Sequence, residues 1–147
     1  MRFALRLLVV ALIIGGTIGY FLPDLRPNST EGQVHFRICA TSPRVNCVVD
    51  GDTIWFGGQK IRIEDIDTPE ISNPKCDYEE ALGQRAKRRL LELLNAGAFQ
   101  VVYTGGRDKD RYGRLLRVIE RDGQSLGDIL IAEGLARRWD GAQRSWC

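Results

Sequence analysis

The spacing of apolar residues shifts several times along the chain, and each shift predicts a different element. From Leu7 to Leu22 an apolar run of 16 residues is broken by no charge. Residues 23–33, PDLRPNSTEGQ, are polar and turn-rich and read as a linker. Short runs of β character follow: VHFRI, NCVV, TIWF and QKIRI. Gly57-Gly58 joins the last two and supplies the positive φ that a two-residue hairpin demands. Asp77-Tyr78-Glu79-Glu80 has the form of a capping box, after which Leu82, Ala86, Leu90, Leu93 and Leu94 recur at helical spacing until Gly97. FQVVYT and RLLRVIE predict two more strands, Arg121 to Gln124 a turn, and Ser125 to Asp128 the start of a second helix that stops near Gly134. The expected fold class is α+β: a small closed or partly closed barrel with two to three helices packed on it. The expected layout is a signal peptide or anchor helix over 1–22, a linker over 23–33 and one compact domain over 34–147.

Composition changes this picture at the amino terminus. Arg2 and Arg6 precede the apolar run, which gives it the pattern of an export signal. The run is shorter than the ~20 residues of a membrane span, but counting from Phe3 with Arg6 snorkelling would let it cross. Thr17-Ile18-Gly19 is a poor cleavage site, so removal and retention as an anchor both stay open. If the segment is retained, its arginines would keep the amino terminus inside and place the rest outside. The chain is therefore expected to be exported, either secreted or tethered to the membrane. Asn28-Ser29-Thr30 is a glycosylation sequon that matters only in a eukaryotic secretory pathway.

Formal net charge is +2, and without Arg2 and Arg6 the basic and acidic residues balance. That excludes a domain binding polyanions by overall charge alone; any such site must be a local patch. Cys39, Cys47, Cys76 and Cys147 form an even set, which favours disulfides in an exported chain. A zinc site is the weaker reading, with no C-x-x-C spacing and His35 as the only histidine. Three pairings are open, and Cys47–Cys76 with Cys39–Cys147 is the one expected.

Acid gathers where the predicted hairpin opens, in VVDGDTIWFGGQKIRIEDIDTPE, residues 48–70. With Gly57-Gly58 closing one end, Asp52 and Asp67 approach each other at the other. Two close carboxylates repel unless a cation or proton intervenes, and an all-oxygen site without histidine selects Ca²⁺ or Mg²⁺. Asp50-Gly51-Asp52 alone is an ordinary turn. Its context is not ordinary: Glu70 follows Asp67 across a rigid X-Pro bend, Arg62 lies five positions before Asp67, and Arg114 sits beside a strand in DKDRYGR. Singly, Arg62 would pair with Glu64 or Asp65, and Arg114 would be a solvated strand end. Together, two arginines and a carboxylate around a hard cation make a kit for phosphoryl chemistry.

DGDTIWF, KIRIEDIDTPE, DRYGR and GQSLGDILIAEGLARRW, in this order across roughly residues 34–139, resemble the staphylococcal-nuclease (thermonuclease) domain. The resemblance implies a five-stranded OB-type β-barrel carrying helices, and Ca²⁺-dependent hydrolysis of DNA or RNA. It implies breakage at the five-prime oxygen, which leaves three-prime phosphates. It further implies that Asp52, Asp67 and the Thr68 carbonyl hold the Ca²⁺, and that Arg62 and Arg114 grip the scissile phosphate. Glu70 would direct the water as general base, with Arg111 and Tyr112 near the substrate's terminal phosphate. Beyond Leu135, ARRWDGAQRSWC lacks the tyrosines with which family members stack a base; Trp139 either takes that place or packs on the barrel.

Other features carry less. Arg85 to Arg89, RAKRR, could track a nucleic-acid backbone but reads first as a solvated helix face, and His35 as a strand surface residue. The leading expectation is an exported metal-dependent nuclease acting on DNA or RNA as a monomer, with the membrane as a partner if the first segment stays. The alternative is a catalytically silent OB module that binds single strands, which would need neither a cation cage nor a general base. A membrane-tethered structural domain would leave the clustered acids unexplained.

Overall fold

The computed structural model describes residues 34–147. The apolar amino-terminal segment, the linker and the sequon lie outside the described residues. Among those described, no helix is long and apolar enough to cross a membrane.

The main sheet is mixed. Its strands are β1 (Arg37–Ile38), β2 (Cys47–Asp50), β3 (Thr53–Phe56), β4 (Gln59–Ile63), β6 (Gln100–Val102) and β7 (Leu115–Arg121), paired in the order β1-β2-β3-β4-β7-β6, with β8 (Gln124–Ser125) added to β7. Antiparallel pairs join β2 to β3 and β3 to β4, whereas β1–β2 and β4–β7 run parallel. β5 (Ile66–Asp67) leaves this sheet and pairs with β9 (Arg137–Arg138) in a ribbon of its own. Of the closed or partly closed barrel expected, with five strands implied by the resemblance, the closed form is not seen: the strand path is open. β1 is only two residues long and bonds β2 alone, so among the described residues no pair joins β1 to β6 to close the ring.

The two predicted turns form because their residues tolerate a left-handed backbone. Gly57 and Gly58 have φ of 55° and 78°, and Asp122 and Gly123 repeat the pattern at 52° and 76°. α1 (Asp77–Asn95) and α2 (Leu126–Ala132) are the two helices. Leu82, Ala86, Leu90, Leu93 and Leu94 are the buried face of α1, and they meet Val48, Ile54, Ile61, Ile63 and Ile119 from the sheet in one core. The capping box anticipated at Asp77 and Glu80 does not form, because the helix starts one residue earlier. Cys76 is the N-cap and offers no side-chain acceptor, while Glu79 reaches back to accept from the Lys75 N–H at 2.6 Å. Ser125 caps α2 as expected, its hydroxyl accepting from the Gly127 N–H.

The expected disulfide pairing is overturned. Cys39 bonds Cys47, and Cys76 bonds Cys147. β1 lies parallel to β2 with Arg37 opposite Cys47, and the Cys39 N–H donates to the Val48 carbonyl. That register brings the Cα atoms of Cys39 and Cys47 to 4.9 Å, inside bonding range. The second bridge carries the chain's last residue back to the amino end of α1.

Candidate active site

Three short segments converge at the open end of the β3–β4 hairpin. The first is the Gly51-Asp52 turn between β2 and β3. A Cβ on Gly51 would stand 2.8 Å from the Ala86 Cβ and 2.9 Å from the Thr68 Cβ, so this turn is wedged between α1 and the chain after β5. The Asp52 carbonyl accepts from the Ile63 N–H at 2.8 Å, which ties the turn to β4. The second segment runs from Asp67 to Ile71. It lies against α1 at Gly83, where a Cβ would come within 2.7 Å of the Pro69 carbonyl oxygen. Glu70 projects from this stretch. The third segment is the loop from Arg107 to Arg114, leading into β7.

Together they line a cleft of about 910 Å³ that holds Asp50, Asp52, Arg62, Asp67, Glu70, Arg111, Tyr112 and Arg114. Of the residues expected to bind the cation, grip phosphate or activate water, the side chains of all but Thr68 line it; Thr68 is buried beside Gly51. Arg62 pairs with neither Glu64 nor Asp65. It stands opposite Thr53 in the β3–β4 register, and its Nη1 lies 2.9 Å from Asp52 Oδ2. Thr53 links the two arginines: its hydroxyl donates to Asp52 Oδ1 at 2.9 Å and accepts from Arg114 Nη1 at 3.3 Å.

Sequence reasoning missed Asp110, which holds Arg114 in place. Arg114 Nε donates to Asp110 Oδ2 at 2.6 Å, while Asp110 Oδ1 accepts from the backbone N–H groups of Tyr112 and Arg114. The available signal was the spacing of Asp110 four residues before Arg114, across the turn at Gly113. Burial pushes the Asp110 pKa up, but these hydrogen bonds outweigh it and hold the carboxyl below its ordinary value.

Three acids of the cleft are pushed the opposite way. Asp50 rises to about 7, chiefly through burial and then through repulsion by Asp52. Asp67 is raised by burial and then by Asp52, against Arg62, the Trp146 indole and Arg137, which lower it. Glu70, exposed at the rim, is raised by partial desolvation and then by Asp52, Glu79 and Asp67, with Arg114 opposing. Mutual repulsion of this kind is relieved by a proton or a bound cation.

Among the described residues, no three or more His, Cys, Asp or Glu side chains stand together as a metal-holding group. What the cleft offers is two buried carboxylates, Asp52 and Asp67, beside the main chain at Thr68. That set fits a hard cation which keeps much of its water, and it fits neither zinc nor copper. Trp139 is exposed on the cleft wall, with the Arg62 guanidinium 5.7 Å from its ring centre, so it is not packed in the core. In the basic run Arg85 and Arg88 are exposed, while Arg89 pairs with Glu92 and Glu133; this is a solvated helix face. His35 is exposed, as expected.

Residues 60–145 match the family model described as "Staphylococcal nuclease homologue", a span that includes Arg62, Asp67, Glu70 and Arg114 and begins after Asp52. Endonuclease YncB of Bacillus subtilis is 40% identical over 93 residues, covering 60% of this chain and 44% of that protein. The SPbeta prophage-derived endonuclease YokF of the same organism is 41% identical over 93 residues, 60% of this chain and 31% of its own length. The chain thus spans less than half of either relative. Thermonuclease of Staphylococcus hyicus aligns more completely, at 30% identity over 135 residues, 89% of this chain and 77% of that one.

Proposed function

The chain belongs to the staphylococcal nuclease homologue family, and from that footing we propose that it is an exported, Ca²⁺-dependent nuclease that hydrolyses phosphodiester bonds of DNA or RNA as a monomer. One observation carries the reading: a single cleft gathers Asp52, Asp67 and Glu70 with Arg62 and Arg114.

Asp52 and Asp67, with the Thr68 carbonyl, would hold the cation. When bound, it neutralises phosphate charge and lowers the barrier to attack at phosphorus. Arg62 and Arg114 donate to the phosphate oxygens, where negative charge grows in the transition state. Thr53 and Asp110 keep the Arg114 guanidinium aimed into the cleft, and Asp52 holds that of Arg62, so little reorganisation is needed when the substrate arrives. Glu70 accepts a proton from the attacking water. A water oxygen–phosphorus bond forms and the bond to the five-prime oxygen breaks, leaving a three-prime phosphate and a five-prime hydroxyl. Arg111 and Tyr112 flank the path of the neighbouring phosphate. Their exposure suits a contact made only with substrate, as does the stacking of the Arg111 guanidinium 4.9 Å from the Tyr112 ring centre.

Two disulfides and no free cysteine among the described residues support export to an oxidising compartment, with the amino-terminal segment as signal or membrane tether. A silent single-strand binder would have no use for a cluster of mutually repelling acids around a basic pair. The test is digestion of single- and double-stranded DNA and RNA by the purified chain, with Ca²⁺ or with a chelator. Cleavage that needs Ca²⁺ is expected; cleavage indifferent to chelator, or none on any substrate, would refute the proposal.

A further inference from the structure

The carboxyl-terminal residues take no part in the chemistry above, yet they are anchored with unusual care. β9 pairs Arg137 with Asp67, and the chain then turns through residues 140–145 and comes back. Arg137 Nη1 donates to the Ser145 carbonyl at 3.0 Å, and its guanidinium lies 3.7 Å from the centre of the Trp146 ring. Trp146 is 9% exposed and belongs to the hydrophobic core. Its indole nitrogen is fully buried and has no hydrogen-bond partner among the described residues. The indole ring reaches Asp67 through Arg137, which stacks on it and pairs in the strand register with Asp67, one of the two carboxylates proposed to bind the cation. Cys147 then bonds Cys76, the N-cap of α1, with its sulfur 3.9 Å from the buried Glu79. The segment carrying Asp67, Thr68 and Glu70 is therefore held at both ends by the carboxyl-terminal chain: by β9 at Asp67 and, beyond it, by the bridge at Cys76.

We propose that residues 140–147 are a positioning strap, in which Trp146 sets the orientation of Asp67 and the Cys76–Cys147 disulfide locks Trp146 in place, so that affinity for the cation depends on that disulfide being closed. The proposal rests on the nuclease reading above. Outer partners that orient a metal-binding carboxylate act through the ligand they hold rather than through the metal. Opening the bridge removes the covalent tie between the carboxyl-terminal residues and the N-cap of α1. The chain would therefore bind the cation weakly with Cys76 and Cys147 as thiols, and would gain affinity when exchange with an oxidised dithiol, which takes up their two electrons and two protons, closes the bridge.

The test is Ca²⁺ titration by calorimetry on the full chain, with melting temperature recorded for each variant. Trp146→Phe keeps an aromatic ring at this position but removes the indole N–H and part of the ring over Arg137; Cys76→Ser with Cys147→Ser opens the strap. Cys39→Ser with Cys47→Ser is the control that opens the other bridge. We expect a Kd for Ca²⁺ roughly tenfold weaker in the first two, the lower end of the range for lost outer-shell partners, and unchanged in the control. Trp146→Phe should stay folded, with a melting temperature lowered by the volume lost from the core. Wild-type affinity in both strap variants overturns the proposal, as does an affinity loss in the control equal to theirs. A parent chain that binds no Ca²⁺ would sink the nuclease reading and the strap with it; a parent that binds beside unaltered variants would sink the strap alone.

Discussion

The β3–β4 hairpin has two ends made from one ribbon, and they do opposite things. At the Gly57-Gly58 end, Phe56 packs against Phe36 and Phe99, with ring centres 5.5 to 5.9 Å apart. Asn95 there pairs with both backbone groups of Phe36, so the polar groups are matched. At the other end, four residues along, Thr53 faces Arg62 and the surrounding acids repel one another. One end is packed by aromatic rings and supplies stability. The other holds charge that the protein alone leaves unrelieved, as expected of a site that awaits a ligand. The difference lies not in the strands, whose register is continuous, but in what the neighbouring loops bring to each end.

Substitutions should separate the two ends. The largest effect is expected for Glu70→Gln, which should cut turnover by roughly 10²–10⁴-fold while the melting temperature holds; unchanged turnover would remove Glu70 from the chemistry. Phe36→Ala should do the reverse. It should cost roughly 3–5 kcal/mol of stability, read from denaturant midpoints, with turnover per folded molecule retained. If catalysis failed in proportion, the ends would not be independent.

A smaller, pH-dependent effect should mark Asp110. Its folded pKa lies below the ordinary 3.8, so its stabilising contribution is present above that pH and fades as acid protonates it in the fold. The stability gap between the parent and Asp110→Asn should therefore be open at neutral pH and close below about pH 3.8. A gap independent of pH would deny the Asp110–Arg114 pair its role.

Local chemistry decided how much of this could be read in advance. Gly57-Gly58 announced the hairpin because few other pairs tolerate positive φ, and the hairpin placed Asp52, Arg62 and Asp67 at one end. The glycine between Asp50 and Asp52 was visible, but its reason, contact with Ala86 and Thr68, is tertiary. What failed depended on distant partners. The parallel β1–β2 register chose Cys39–Cys47 over the expected pairing, and the shortness of β1 left the sheet open. Trp146 gave no sign of standing beside Asp67, since nothing local reveals that the chain turns back after β9.

The central claim is that Asp52 and Asp67 close around one cation at the hairpin's open end. Crystals grown with Ca²⁺ and read by anomalous scattering test it most directly. The account predicts one ion bound by both carboxylates and the Thr68 carbonyl, within reach of a phosphate gripped by Arg62 and Arg114. An ion seated elsewhere, or a cleft that stays closed by the Arg62–Asp52 pair at saturating Ca²⁺, would contradict it.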